Sequence, residues 1–160
     1  MRLMAAEQLL KDRDLSGFSN ASVFGALSES WILWLLENGK IHAIEKDECV
    51  FEHGQPGDSF HVILEGRIGY YKFHEGRHAY IRDYNAGEQI GFMSLIALHD
   101  RVGTARALDD TITLEIDSEL FSLFHSNGPL DFGILMMNLA REMARTLRSV
   151  DNIIVDKSQE

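Results

Sequence analysis

The first candidate for chemistry is His74-Glu75-Gly76-Arg77-His78, which matches H-E-x-x-H, the pattern in which two imidazoles one helical turn apart hold zinc beside a glutamate base. That chemistry needs a helix. Here a glycine sits at the centre of the motif, between two strand-like runs, so a hairpin turn accounts for every residue. His42, His53, His61, His99 and His125 show no ligand spacing, and no catalytic or metal-binding residue is assigned. There is no G-x-S-x-G elbow, Walker loop or G-x-G-x-x-G, which leaves nucleophilic hydrolysis and nucleoside triphosphate chemistry without support. The lone Cys49, in Cys49-Val50-Phe51, reads as a small buried hydrophobe.

The stretch that keeps a chemical meaning is Gly87-Glu88-Gln89-Ile90-Gly91-Phe92-Met93-Ser94-Leu95-Ile96-Ala97-Leu98, followed after two residues by Arg101-Val102-Gly103-Thr104. It reads as strand, glycine, one helical turn, loop, arginine, strand. A short helix starting at Gly91 turns free backbone N–H groups outward, and an arginine ten residues on supplies a counter-charge, a combination suited to a single phosphate. The same spacing also fits a capped helical turn with a surface arginine.

The elements that position this stretch follow from periodicity. Leu3 to Leu10 and Ser30 to Asn38 read as helical segments, the second closed by Gly39. From Ile41 the period changes to two. Phe60, Val62 and Leu64 alternate with His61, Ile63 and Glu65, and short runs recur at Arg67 to Phe73, His78 to Tyr84 and Thr111 to Ile116. Turn residues at Gly54-Gln55-Pro56-Gly57-Asp58, Glu65-Gly66, Glu75-Gly76 and Asn85-Ala86-Gly87 separate the runs as an antiparallel roll requires. Pro129 opens a long helix to about Val155, with Phe132, Met136, Leu139, Met143, Leu147, Val150 and Ile154 on one face. That face either lies on the roll or pairs, in its distal half, with a second copy; its length favours pairing. The chain is therefore expected to be mainly β with flanking helices: a helical extension over 1–17, a roll over 18–128, and a C-terminal helix and tail over 129–160.

Composition narrows the partners. With 45% apolar residues in 160, one domain needs no disulfides, and the longest apolar run, Trp31 to Leu36, is far short of a membrane span. A net charge of −10 with scattered cations argues against direct contact with DNA or an acidic membrane. A cytoplasmic location is expected.

The segment Phe51-Glu52-His53-Gly54-Gln55-Pro56-Gly57-Asp58-Ser59-Phe60-His61-Val62-Ile63-Leu64-Glu65-Gly66-Arg67-Ile68 closely resembles the cyclic-nucleotide-binding domain of catabolite-activator-type regulators and cyclic-nucleotide-dependent kinases. The resemblance spans about Phe18 to Val150. It includes the cassette beginning at Gly91, the Arg101 strand, and a closing segment, Leu114 to Phe121, similar to the family's leucine-aspartate-phenylalanine ending. It implies a double-stranded β-helix, or jelly-roll, of about eight strands with N-terminal helices and a long C-terminal helix. It also implies a cyclic nucleotide, cAMP or cGMP, held at Gly91, Phe92, Met93, Ser94, Arg101 and Val102. Two departures stand out. Where the family usually has a glutamate that accepts from the ribose 2′-hydroxyl, this chain has Phe92; the residues after the arginine, commonly a small or hydroxylated one with a following alanine, are Val102 and Gly103, and Asp100 stands where proline is frequent. Losing a charged acceptor costs about 1.5 to 3 kcal/mol, roughly ten- to a hundred-fold in affinity. Asp100 is also placed to compete for the Arg101 guanidinium, and Phe92 either fills the ribose space or turns into the core.

Two functions follow, neither enzymatic. One is a sensor that binds a cyclic nucleotide and signals to a protein partner through its C-terminal helix; the other is a dimeric scaffold that binds no ligand, with the long helix as its working surface. The chain stops at Glu160, where transcriptional members would continue into a helix-turn-helix, so DNA-binding regulation by this chain alone is not expected.

Overall fold

The computed structural model describes residues 1–11, 13–19 and 21–157. Two antiparallel sheets form the roll. In the first, β1 (Arg2–Met4), β2 (Lys40–Ile44), β9 (Thr111–Asp117), β4 (Ser59–Glu65) and β7 (Gln89–Ile90) lie side by side in that order. The second runs β3 (Cys49–Phe51), β8 (Gly103–Ala107), β5 (Arg67–His74), β6 (Arg77–Asn85). Short helices α1 (Ala6–Leu10), α2 (Leu15–Ser19) and α3 (Glu29–Asn38) precede the roll, α4 (Phe92–Ala97) interrupts it, and α5 (Ser118–Asn127) and α6 (Pro129–Lys157) follow. This is the jelly-roll with flanking helices and a long C-terminal helix that the sequence implied.

Strand alternation divides the interior in two. In β4, Phe60 and Val62 face the helices, joining Leu9, Phe24, Ile32, Leu35, Phe124 and Leu139 in one buried cluster. Ile63 faces the other way, into a second cluster between the sheets with Ile44, Val50, Phe51, Ile68, Ile90 and Ala105. A strand buried on both faces is why Ser59 to Ile63 are all inaccessible. The helix expected over Leu3 to Leu10 is corrected by the structure. Residues 2–4 form an edge strand, with Arg2 opposite Ala43 and Met4 opposite Ile41, and only Ala6–Leu10 is helical. So short a helix is marginal by itself, while the open edge of β2 offers backbone partners for the terminal segment.

The H-E-x-x-H motif occupies the β5–β6 hairpin, where Glu75 and Gly76 adopt positive φ and the His74 and Glu75 side chains stand in solvent. Its residues are turn chemistry. Among the described residues, no three His, Cys, Asp or Glu side chains are grouped to hold a metal, and no helix is long and apolar enough to cross a membrane.

Helix α6 is fixed at its start. Asn138 Nδ2 donates to the carbonyls of Val23 (3.0 Å) and Gly25 (2.7 Å), Asp131 Oδ1 accepts from the Ser28 N–H (2.7 Å), and Leu135 and Leu139 are fully buried. The proximal half of its apolar stripe is therefore core. Distally, Leu147, Val150, Ile153 and Ile154 are exposed.

Candidate functional site

The site is organised by Gly91. Its φ of +95° falls in the left-handed region, and a Cβ there would come within 2.5 Å of Arg101 Nη1. Only glycine allows both the turn from β7 into α4 and the close approach of the guanidinium. Arg101 is 3% exposed: Nη1 donates to the Gly91 carbonyl at 3.0 Å, Nη2 donates to Ser59 Oγ at 3.0 Å, and Cζ sits 4.3 Å from the centre of the Phe51 ring. Its Nε–H is buried without a partner. Burial depresses the guanidinium's proton affinity, and Asp58 and Glu115 restore part of it. Asp100 does not compete for this group; Gly91 and Ser59 hold it instead.

The Pro56-Gly57 turn fastens the arginine's backbone. Arg101 N–H donates to the Gln55 carbonyl (2.8 Å), and the Gly54 N–H donates to the Arg101 carbonyl (2.9 Å). Gly57 packs against the cassette so closely that a Cβ would meet the His99 carbonyl oxygen at 2.2 Å.

Beneath the arginine lies a buried polar line between the sheets. Glu115 Oε2 accepts from His42 Nε2–H at 2.7 Å, the tautomer a carboxylate partner requires. That hydrogen bond outweighs the opposing effect of burial, so the Glu115 carboxyl lies at about 2; the nearby Ser59 hydroxyl assists. His61 is almost wholly enclosed, with Nδ1 3.3 Å from Thr113 Oγ1, and burial lowers its pKa to about 3, so it is neutral near pH 7. Sequence reading missed Ser59 as a partner of the arginine and Glu115 as a nearby charge that acts on it. Their signal was the polar residues at buried-strand positions in the otherwise apolar runs of β4 and β9.

Phe92 turns into the core. It is 1% exposed, with ring centroids 5.3 Å from Phe60 and 6.0 Å from Phe121. Its N–H donates to Gln89 Oε1 at 3.2 Å, and the Ser94 N–H donates back to the Gly91 carbonyl at 3.2 Å. Two of the first-turn donors expected to face outward are thus already engaged. Met93, by contrast, is 62% exposed.

A cavity of about 490 Å³ opens beside this cassette, within the size range of small-molecule sites. Gly91, Phe92, Met93, Ser94 and Val102 all border it, together with Phe51, Tyr70 and Tyr84 from the strands and Glu142, Met143, Thr146, Leu147 and Val150 from α6. Arg101 is set behind it, next to the Gly91 carbonyl and the Phe51 ring. Five of the six expected site residues therefore meet at one cavity, and the sixth lies one layer behind.

The family model for the cyclic nucleotide-binding domain matches residues 41–127, more than half of the chain. The chain belongs to the cyclic nucleotide-binding domain family. Solved structures share the fold. A cyclic nucleotide-binding domain from Methylobacillus flagellatus KT is 20% identical, covering 98% of this chain and 88% of its own, with a TM-score of 0.82. The catabolite activator protein of Thermus thermophilus is 24% identical over 86% of this chain and 63% of its own, with a TM-score of 0.72. The regulatory subunit of a cAMP-independent protein kinase A from Trypanosoma brucei is 17% identical over 80% of this chain and 43% of its own, with a TM-score of 0.67. No curated protein sequence matches. At these identities the neighbours speak for the fold, and a cyclic nucleotide-binding domain on this fold is a regulatory type of module.

Proposed function

We propose that this cyclic nucleotide-binding domain is a regulatory sensor rather than an enzyme, taking up cAMP or cGMP in the cavity between cassette, strands and α6. The observation that carries the reading is Arg101: a buried guanidinium with an unpartnered Nε–H, held only by a carbonyl and a hydroxyl, directly behind the glycine that borders the cavity. A buried cation with no carboxylate in contact is poorly compensated, and an anionic phosphate at Gly91 would complete it. Ser94, Met93 and Val102 line the approach, while Phe92 contributes shape and no polar contact.

Signalling follows from the cavity wall. Met143, Thr146, Leu147 and Val150 belong to α6, so a ligand touching them favours one position of that helix over another, and a protein partner or second copy on α6 senses the difference. Calorimetric titration and thermal shift with cAMP and cGMP at up to millimolar concentration test the reading. Saturable binding that disappears in Arg101→Leu is expected, and no response from folded protein refutes it.

The second reading, a dimeric scaffold without a ligand, is favoured by one observation. Leu147, Ile153 and Ile154 are more than half exposed on the distal turns of α6, an apolar stripe suited to pairing with a second copy. A folded, dimeric protein indifferent to nucleotides would select it.

A further inference from the structure

The cavity wall carries two buried polar atoms without partners, and they are complementary. Glu142 on α6 is 9% exposed; its Oε1 accepts from Ser22 Oγ at 3.1 Å, while Oε2 makes no hydrogen bond. Arg82 on β6 borders the same cavity. Its Nη1 donates to Glu88 Oε1 at 3.1 Å and its Cζ lies 3.8 Å from the centre of the Tyr84 ring, but its Nε–H is buried and unpaired. The Arg82 charge acts weakly on the Glu142 carboxyl. Burial raises the Glu142 carboxyl, Ser22 draws it back, Glu88 raises it further, and Gln89 and Arg82 oppose that rise.

Arg82 is ion-paired with Glu88, yet its Nε–H and the Glu142 Oε2 both stay unsatisfied, and each unsatisfied buried atom is costly. These remain open. A ligand hydroxyl in the cavity can donate its proton to Oε2, and a hydroxyl oxygen is also an acceptor of the kind the Arg82 Nε–H lacks. A 3′,5′-cyclic ribonucleotide carries a single free sugar hydroxyl, the 2′-OH, and Phe92 offers it nothing.

We infer that Glu142, with Arg82 as the matching donor, recognises the free sugar hydroxyl of the ligand from helix α6, replacing an acceptor that the cassette does not supply. The assignment rests on the cyclic-nucleotide reading above. It makes the contact that selects ribose the same contact that ties the ligand to the signalling helix.

The test is calorimetry of the full chain with cAMP and with 2′-deoxy-cAMP, for the wild type, Glu142→Met and Glu142→Gln, beside melting curves without nucleotide. The wild type is expected to prefer cAMP by about ten-fold or more, as for a hydrogen bond to a charged group. Glu142→Met should reduce that preference to within about two-fold, with a ligand-free melting temperature unchanged or raised, because an unpaired carboxylate oxygen is removed. Glu142→Gln keeps the shape and an acceptor for Ser22, and should weaken the preference even where the methionine variant fails to fold. Equal wild-type affinity for the two nucleotides overturns this inference and leaves the cassette reading standing, as does a preference that survives in both variants. Folded wild-type protein that binds neither nucleotide removes the cassette reading, and this inference falls with it.

Discussion

Restoring the missing glutamate, Phe92→Glu, is the substitution that family resemblance recommends and the structure forbids. Phe92 is 1% exposed, edge-on to Phe60 and packed near Phe121 on the helical side of the first sheet. Removing such a ring costs about 3 to 5 kcal/mol by truncation alone. A carboxylate left in the space must either be buried charged or take up a proton, adding at least ~1 to 3 kcal/mol for an unsatisfied polar group. Against a typical domain stability of about 5 to 15 kcal/mol, most of the fold's margin is consumed. Urea unfolding followed by tryptophan fluorescence measures the loss, with Phe92→Leu as the volume-tolerant control at under about 1.5 kcal/mol. Phe92→Glu is expected to lose at least about 4 kcal/mol, or to lack a cooperative transition, and to bind cyclic nucleotide no better than the wild type. A variant that melts within a few degrees of the wild type and binds cAMP more tightly would place the side chain in the cavity and refute the packing argument.

Gly91→Ala forces a Cβ into the left-handed region, about 1 to 2 kcal/mol, and against Arg101 Nη1; denaturation should show at least that loss, together with loss of nucleotide binding. Acid should destabilise the fold. His61 and Glu115 are held near 3 and 2, below their ordinary values of 6.5 and 4.5, so the unfolded chain binds more protons. Their contribution is fully present above about pH 6.5 and lost as pH falls toward 2; the melting temperature should decline through that window, and His61→Leu should flatten the upper part of the decline. Leu147→Glu with Ile154→Glu, both at exposed positions, should convert a dimer to monomer by light scattering and leave a folded protein whose melting temperature no longer depends on its concentration. A monomeric wild type at high micromolar concentration contradicts helix pairing.

Much of the fold was legible because alternation and turn chemistry are local. Phe60, Val62 and Leu64 against His61 and Ile63 marked β4, and Glu75-Gly76 marked a hairpin tight enough to exclude a zinc helix. The N-terminal strand was not legible, since Leu3 and Met4 acquire their conformation from the edge of β2, some 40 residues away. At the site, the spacing of Gly91 and Arg101 was readable, but the direction of Phe92 was not, because it depends on aromatic partners at Phe60 and Phe121 drawn from distant elements. Glu142 was invisible for the same reason. One charged residue among several on a helix of mixed charge becomes informative only when packing leaves one of its oxygens buried and unpaired.

The most direct measurement is isothermal titration of the full chain with cAMP and cGMP, run in parallel on the wild type and on folded Arg101→Leu. Saturable one-to-one binding of at least one nucleotide to the wild type, and none to the variant, is expected. Absence of binding to the folded wild type at millimolar nucleotide, or undiminished binding to the variant, would contradict it.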